Sequence, residues 1–280
     1  MHPAAEIARH TFFAPVEVFR ILRRHRSLLW QHTCRSVAGR YRGSYLGMAW
    51  SFLHPLLMLT VYTFVFGVIM RVQWDRAATP SRMEFALTLF AGMVMFNIFA
   101  EVVNRAPSLI MGSPNYVKKV VFPLEILPVS LMGEALFHGL VSLIILLSGV
   151  AIWHHGLPWT VLLLPVVLVP LLLLTLGLGW LFAALGVFIR DIGQGITVVT
   201  TILFYLTPII YPLTAVPEHL RFPLRLNPLA VITEECRQIV LWNAVPSWSW
   251  YAYATAISVV VFCLGFGLFQ SLKRTFADVV

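Results

Sequence analysis

Six long apolar runs, at residues 49–70, 85–103, 126–153, 157–189, 192–211 and 250–269, restrict this chain more than any other feature; short polar or proline-rich breaks separate them. A helix rises 1.5 Å per residue, so crossing roughly 30 Å of hydrocarbon takes about 20 apolar residues. The runs match that demand. The fourth is longer than one upright span requires and carries Pro165 and Pro170, so it is expected to tilt, kink or begin as an interfacial segment. Composition agrees: 59% of the 280 residues are hydrophobic and 11% charged, too few charges to clothe a soluble domain of this size. The expected fold is an all-α integral membrane protein with six transmembrane helices.

The charges that exist are unevenly placed. Net charge is +8, and 8 of the 20 Lys and Arg residues precede the first apolar run, which fits a membrane-facing segment better than a nucleic-acid surface. An even number of spans puts both ends on one side. That side collects 14 positive residues, while Arg71, Arg76, Arg82, Arg221, Arg225 and Arg237 fall on the other; the bias predicts both termini in the cytoplasm. Residues 1–47 form the first division. There Phe12, Phe13, Val16, Phe19, Ile21, Leu22, Leu28 and Leu29 recur near helical spacing beside Arg20, Arg23, Arg24 and Arg26, the pattern of an amphipathic helix lying on the inner leaflet. The segment lacks the basic flank, apolar core and small-residue cleavage site of a signal peptide, and none is expected. Residues 48–271 form the membrane domain and 272–280 a cytoplasmic tail. The stretch 212–248 is too apolar for a free loop and is expected to fold as an external re-entrant hairpin or, alternatively, a surface cap. Irregular backbone at membrane depth is tolerated only where protein or a water-filled cavity satisfies its polar groups.

Covalent and metal chemistry find little support. Cys34, Cys236 and Cys263 are odd in number and widely spaced, so they read as packing residues rather than disulfide partners or zinc ligands. His154 and His155 are adjacent, but no H-E-x-x-H, C-x-x-C or G-x-S-x-G pattern occurs, nor any G-x-x-x-x-G-K-[ST] phosphate loop. No catalytic, cofactor or metal residue is expected. Glu134 and His138 lie one helical turn apart in the third run, as a structural pair or, with Glu101, as a proton relay.

Several segments resemble a known family. Residues 40–67 (RYRGSYLGMAWSFLHPLLMLTVYTFVFG), 118–130 (KKVVFPLEILPVS), 188–194 (FIRDIGQ), 227–230 (NPLA), the stretch FYLTPIIYPLTAVPEHL and the closing KRTFADVV are similar, in order and spacing, to the permease subunit of ABC exporters for O-antigen, teichoic acid and related polysaccharides. The resemblance covers nearly the whole chain. It implies a homodimer of six-span subunits enclosing a channel for an undecaprenyl-linked glycan in the bacterial inner membrane. Two copies of a separate ABC ATPase subunit would drive it and hold the ATP and Mg. MRVQ and KKVVFP read most like the O-antigen branch, with teichoic acid and capsule open.

The resemblance also implies a coupling helix at about 105–116, docking on the ATPase through Pro107, Ser108, Leu109, Ile110, Met111 and Pro114, and external gate helices at about 213–247. Proline at a helix start fixes φ without losing a needed hydrogen bond, so this stretch suits a short rigid turn. Arg40 and Arg42 lie beside the inner leaflet, where they would meet a substrate pyrophosphate or lipid phosphate, or simply anchor the span. Aromatic faces stack on the C–H faces of sugars, and Tyr62, Phe66, Phe96, Phe99, Phe204 and Tyr205 are the candidate channel-lining group, with helix packing as the competing reading. Two rival functions remain: a proton-coupled transporter using Glu101, Glu134 and His138, and a membrane enzyme using Glu218, His219, Glu234 and Glu235.

Overall fold

The computed structural model describes residues 16–70, 74, 82–118 and 122–279. Phe12, Phe13, Arg71, Arg76 and Lys119, named above, lie outside the described residues. Among those described, all regular structure is helical.

Residues 16–24 (α1) and Arg26–Tyr41 (α2) form two helical pieces joined at His25. The α2 helix lies against α6 (Ile126–Trp153) so closely that a Cβ on Gly133 would meet the Thr33 side chain. The chain then turns into the first apolar helix through RGSYLG. Gly43 and Gly47 both have positive φ, 87° and 48°, a conformation that other L residues resist. The α3 helix (Trp50–Tyr62) runs on as a wider π-helical stretch, Thr63–Ile69. Leu53, Leu57, Val61 and Phe64 stay exposed on it, an arrangement that suits lipid or another polypeptide and not water.

The centre of the bundle is α4 (Arg82–Leu109), packed by α6, by α7 (Leu164–Phe188), by α8 (Ile192–Leu206) and by α10 (Pro228–Val240). Its Leu89, Phe90, Met95, Phe99 and Val102 are among the core residues. The α7 helix is preceded by a separate 3₁₀ turn, Trp159–Leu163, and Pro165 sits in its first turn; the long fourth run thus divides into a lead-in and a span. The α7 helix packs on α11 (Trp248–Leu272) at backbone contact, where a Cβ on Gly265 would overlap the carbonyl of Gly177. Small residues permit such close approach, and the extra dispersion contact substitutes for the hydrophobic drive that lipid does not supply.

Five described helices are long and apolar enough to cross a membrane: Gly47–Ile69, Arg82–Leu109, Ile126–Trp153, Trp159–Phe188 and Trp248–Thr275. The fifth apolar run behaves differently. Its helix, α8, has 15 residues, or about 22 Å, short of the roughly 30 Å hydrocarbon core. The stop is chemical: Pro208 drives the preceding residue out of the helical region, and Thr207 has ψ 130°. Beyond it come a short α9 (Glu218–Arg225) and then α10, which returns into the bundle against α4, α7 and α11.

The two described ends of the chain meet. Val18 of α1, Phe276 of α12 (Phe276–Val279), Ile110, Leu124 and Trp180 share one apolar cluster. The α10 helix lies toward the other end of α4, beside Thr88.

Candidate functional site

Where α2 meets α4 and α6, a charged cluster is built from three elements. Arg105 donates two hydrogen bonds to Glu134, at 2.7 and 3.1 Å, and Ser36 adds a third at 2.9 Å. Arg40 pairs with Glu101 and reaches Glu134 at 3.4 Å; His138 Nδ1 lies 3.0 Å from both oxygens of Glu101. Two guanidiniums face two carboxylates, so the cluster is charge-balanced. Glu134, 1% exposed, is buried without isolation, because both its oxygens have bonded partners. Burial works against the charge on Arg40, and Glu101 outweighs it, raising the guanidinium pKa above its ordinary value.

Glu134 and His138, expected as each other's partners, instead bond across helices: Glu134 to α2 and α4, His138 to Glu101 of α4. The i, i+4 spacing put them on one face, and longer arginines on neighbouring helices reached Glu134 first. Arg40 and Arg42 also part company. Arg40 is held in the cluster, while Arg42 is exposed and its side chain bonds nothing among the described residues. Arg40, Tyr41, Trp50, His54, Arg105 and His138 line a cleft of about 540 Å³.

The turn after α4 has a buried root and an exposed rim. Pro107 lies inside the last turn of α4 and not at a helix start. Its lost hydrogen bond is outweighed because Ala106 and Pro107 extend the buried stripe of Val102 and Val103. Pro107 fits against Gly186, where a Cβ would overlap the Pro107 carbonyl, and Ile110 is buried among Leu124 and Trp180. Leu109 is half-buried; Ser108, Met111 and Pro114 are exposed. Gly112 N–H donates to Ser108 O at 2.8 Å, closing the turn. The short α5 helix (Pro114–Lys118) then begins at a proline.

All six candidate aromatics meet. Phe66 stacks on Tyr62, Tyr62 touches Phe204, Phe204 touches both Phe96 and Tyr205, and Phe96 touches Phe99, with ring centroids 5.2–6.3 Å apart. They differ in access: Phe96 and Phe99 are buried, Tyr62, Phe66 and Phe204 half-buried, and Tyr205 exposed. On α8, Gln194, Thr197, Thr201 and Tyr205 are all exposed and recur at helical spacing, giving that helix one polar, aromatic-tipped face.

Arg237 was counted by sequence among the external cations. It is fully buried, and it holds together the end of α8, α4 and α10. Nε donates to Thr88 O at 3.0 Å, Nη1 to Pro208 O at 2.7 Å and Nη2 to Ile209 O at 2.8 Å. Pro208 and Ile209 are the residues where α8 stops, so the guanidinium supplies donors that the interrupted helix lacks. Glu234 at 3.5 Å and the Trp74 ring at 4.4 Å complete its surroundings. Asn227 reinforces the same junction: its side chain caps α10 by accepting from Leu229 N and donates to Thr207 at 2.9 Å. A sequence clue existed, since Arg237 shares a helical face with Thr233 and Val240, both buried. No metal-holding group of three or more His, Cys, Asp or Glu side chains occurs among the described residues.

Comparison with known proteins fits this architecture. A family model described as ABC-2 type transporter matches residues 27–241. An O-antigen export system permease protein, RfbA, of Myxococcus xanthus is 30% identical over 266 residues, covering 94% of this chain and 99% of the relative. Another RfbA, from Klebsiella pneumoniae, is 27% identical over 250 residues, covering 89% and 93%. The polysialic acid transport protein KpsM of Escherichia coli is 24% identical over 255 residues, covering 86% and 91%. The chain belongs to the ABC-2 type transporter family, as one of its transport permeases.

Proposed function

We propose that this chain is the channel-forming subunit of an ATP-driven exporter that moves a lipid-linked polysaccharide, O-antigen first among the candidates, across the bacterial inner membrane. End-to-end similarity to an O-antigen export permease, over 94% of this chain and 99% of that one, carries the reading. Capsule-type polysaccharide is the alternative, favoured by the similarity to KpsM.

The working unit is a homodimer with two ATPase subunits, which hold ATP and Mg. Six crossings per chain result if α8 and residues 207–211, braced by re-entrant α10, complete the fifth span. The two ends, gathered at one apolar cluster, face the cytoplasm on the side where 14 of the 20 basic residues are expected. The exposed rim Ser108, Met111 and Pro114 docks on the ATPase, and its buried root at Pro107 and Ile110 carries the push into α7. Arg42 and the cleft beside Arg40 receive the phosphate groups of the lipid carrier. Tyr62, Phe66, Phe204 and Tyr205 face the channel, and Phe96 and Phe99 back them.

The test is co-expression with an ABC ATPase subunit from the same cells. Co-purification, Mg-dependent ATP hydrolysis altered by this chain, and loss of surface polysaccharide when the chain is deleted are expected. Retention of the polysaccharide after deletion would end this reading.

A further inference from the structure

At the end of the bundle away from the two described chain ends, α10 and the segments around it enclose a second pocket of about 290 Å³. Three indoles line it, Trp74, Trp242 and Trp250, together with Glu234, Glu235 and Gln238. This mixture is unusual for a surface that only packs against lipid, because two carboxylates and an amide converge where the walls are aromatic.

The polar groups have capacity left. Glu235, 3% exposed, accepts a hydrogen bond from Ser247 N–H at 2.9 Å, and a carboxyl group has room for more. Among the described residues the Gln238 side chain bonds nothing, and the buried Trp74 indole N–H has no partner. The aromatic groups are themselves held in place. Trp74 lies against Arg237, which is fixed by three carbonyls, and Trp250 carries the Arg225 guanidinium 5.8 Å from its ring centre.

We infer that this pocket is a binding subsite for a hydroxyl-rich pyranose unit of the transported glycan. Indole faces stack on the C–H face of a sugar ring. Carboxylate and amide oxygens accept from neighbouring hydroxyls, and the Gln238 and Trp74 N–H groups donate to ring or hydroxyl oxygens. The volume is at the low end of small-ligand pockets, about 300 Å³ and upward, so it takes one or two rings of a polymer and not a folded length of it. With two carboxylates against arginines already engaged, an uncharged sugar is favoured over an acidic one. A subsite here gives the leading end of the polymer a foothold as it leaves the channel. The inference rests on the export reading for the identity of the ligand.

The test uses the full-length chain with its ATPase in lipid nanodiscs. The probe is a set of short oligosaccharides, released by mild acid from the surface polysaccharide of cells that carry this chain and labelled fluorescently at one end. Fluorescence anisotropy should report saturable binding, weakened about tenfold by Gln238→Ala and by Glu235→Gln, each of which removes or alters one hydrogen-bonding group. Gln238→Ala deletes an amide that bonds nothing in the fold, and Glu235→Gln keeps an acceptor for Ser247, so both variants should elute as the intact complex. Absence of binding to the unaltered complex, or binding unchanged in both variants, overturns the subsite. Deletion of the chain judges the export reading separately, so each can fail while the other holds.

Discussion

Arg237 carries more of the architecture than any other charged residue. A buried polar group left without its partner costs roughly 1–3 kcal/mol, and removing this guanidinium strands the carbonyls of Pro208 and Ile209, while Thr88 O keeps the backbone bond of its own helix. Arg237→Met is therefore expected to lower stability by at least about 2 kcal/mol, and Arg237→Lys by less, because an ammonium can satisfy some of the carbonyls but lacks the planar fork. Thermal unfolding of the detergent-purified protein checks the order Arg, Lys, Met. Were Arg237 a solvated external cation, all three would melt together. Glu134 gives a contrasting case. Its carboxylate takes two bonds from Arg105 and one from Ser36, so Glu134→Gln loses a charged acceptor and should cost about 1.5–3 kcal/mol. If Glu134 were instead a proton relay, the substitution would make transport insensitive to pH while leaving the melting temperature alone.

Among elements, α2 and the segment before α6 are joined by His32, whose ring lies 5.7 Å from Tyr116 and 6.3 Å from Phe122. Burial lowers its pKa below the ordinary 6.5, with Arg35 adding to the effect. The free imidazole therefore binds a proton more readily than the docked one. The stability that this contact supplies is complete above pH 6.5 and declines as pH falls from there through the lower folded value. Hydrogen exchange in α2 should rise on acidification through that window, and His32→Phe should abolish the pH dependence. The spans were legible in sequence because length and composition fix them: α4, α6 and α11 fall on runs whose apolar extent alone matches a bilayer. The end of α8 was less so. Residues 192–211 read as one predominantly apolar run, and only the effect of Pro208 on Thr207 divides them. Arg237 was misplaced because its three acceptors lie 28 to 149 residues away in sequence, and local pattern carries no record of such partners. The local structure at Pro107 was hidden in the same way, since the sequence suits a helix start there while tertiary burial of Ala106 and Pro107 keeps α4 going to Leu109.

For the whole molecule, the central question is what covers α3 and α8. Both leave large apolar side chains exposed, among them Leu57, Val61, Val198 and Ile202, and a single copy in lipid would satisfy these. It would not satisfy the neighbouring face of α8, where Gln194, Thr197, Thr201 and Tyr205 are also exposed. The threonine hydroxyls donate back to their own helix, Thr197 to Gly193 O and Thr201 to Thr197 O, but the Gln194 side chain bonds nothing among the described residues, and an unpaired amide is costly in hydrocarbon. A second copy resolves this by turning the polar face toward a shared aqueous channel and the apolar flanks toward one another. Two differently tagged chains, one with Val61→Cys and the other with Ile202→Cys, both in a Cys34→Ser background, should then form a disulfide carrying both tags on mild oxidation of native membranes. Leu140→Cys on α6, exposed on the lipid-facing side in this arrangement, should remain uncoupled. Equal cross-linking at Leu140 would mean random collision, and no mixed-tag product would leave the channel to a single chain, which the exposed polar face of α8 argues against.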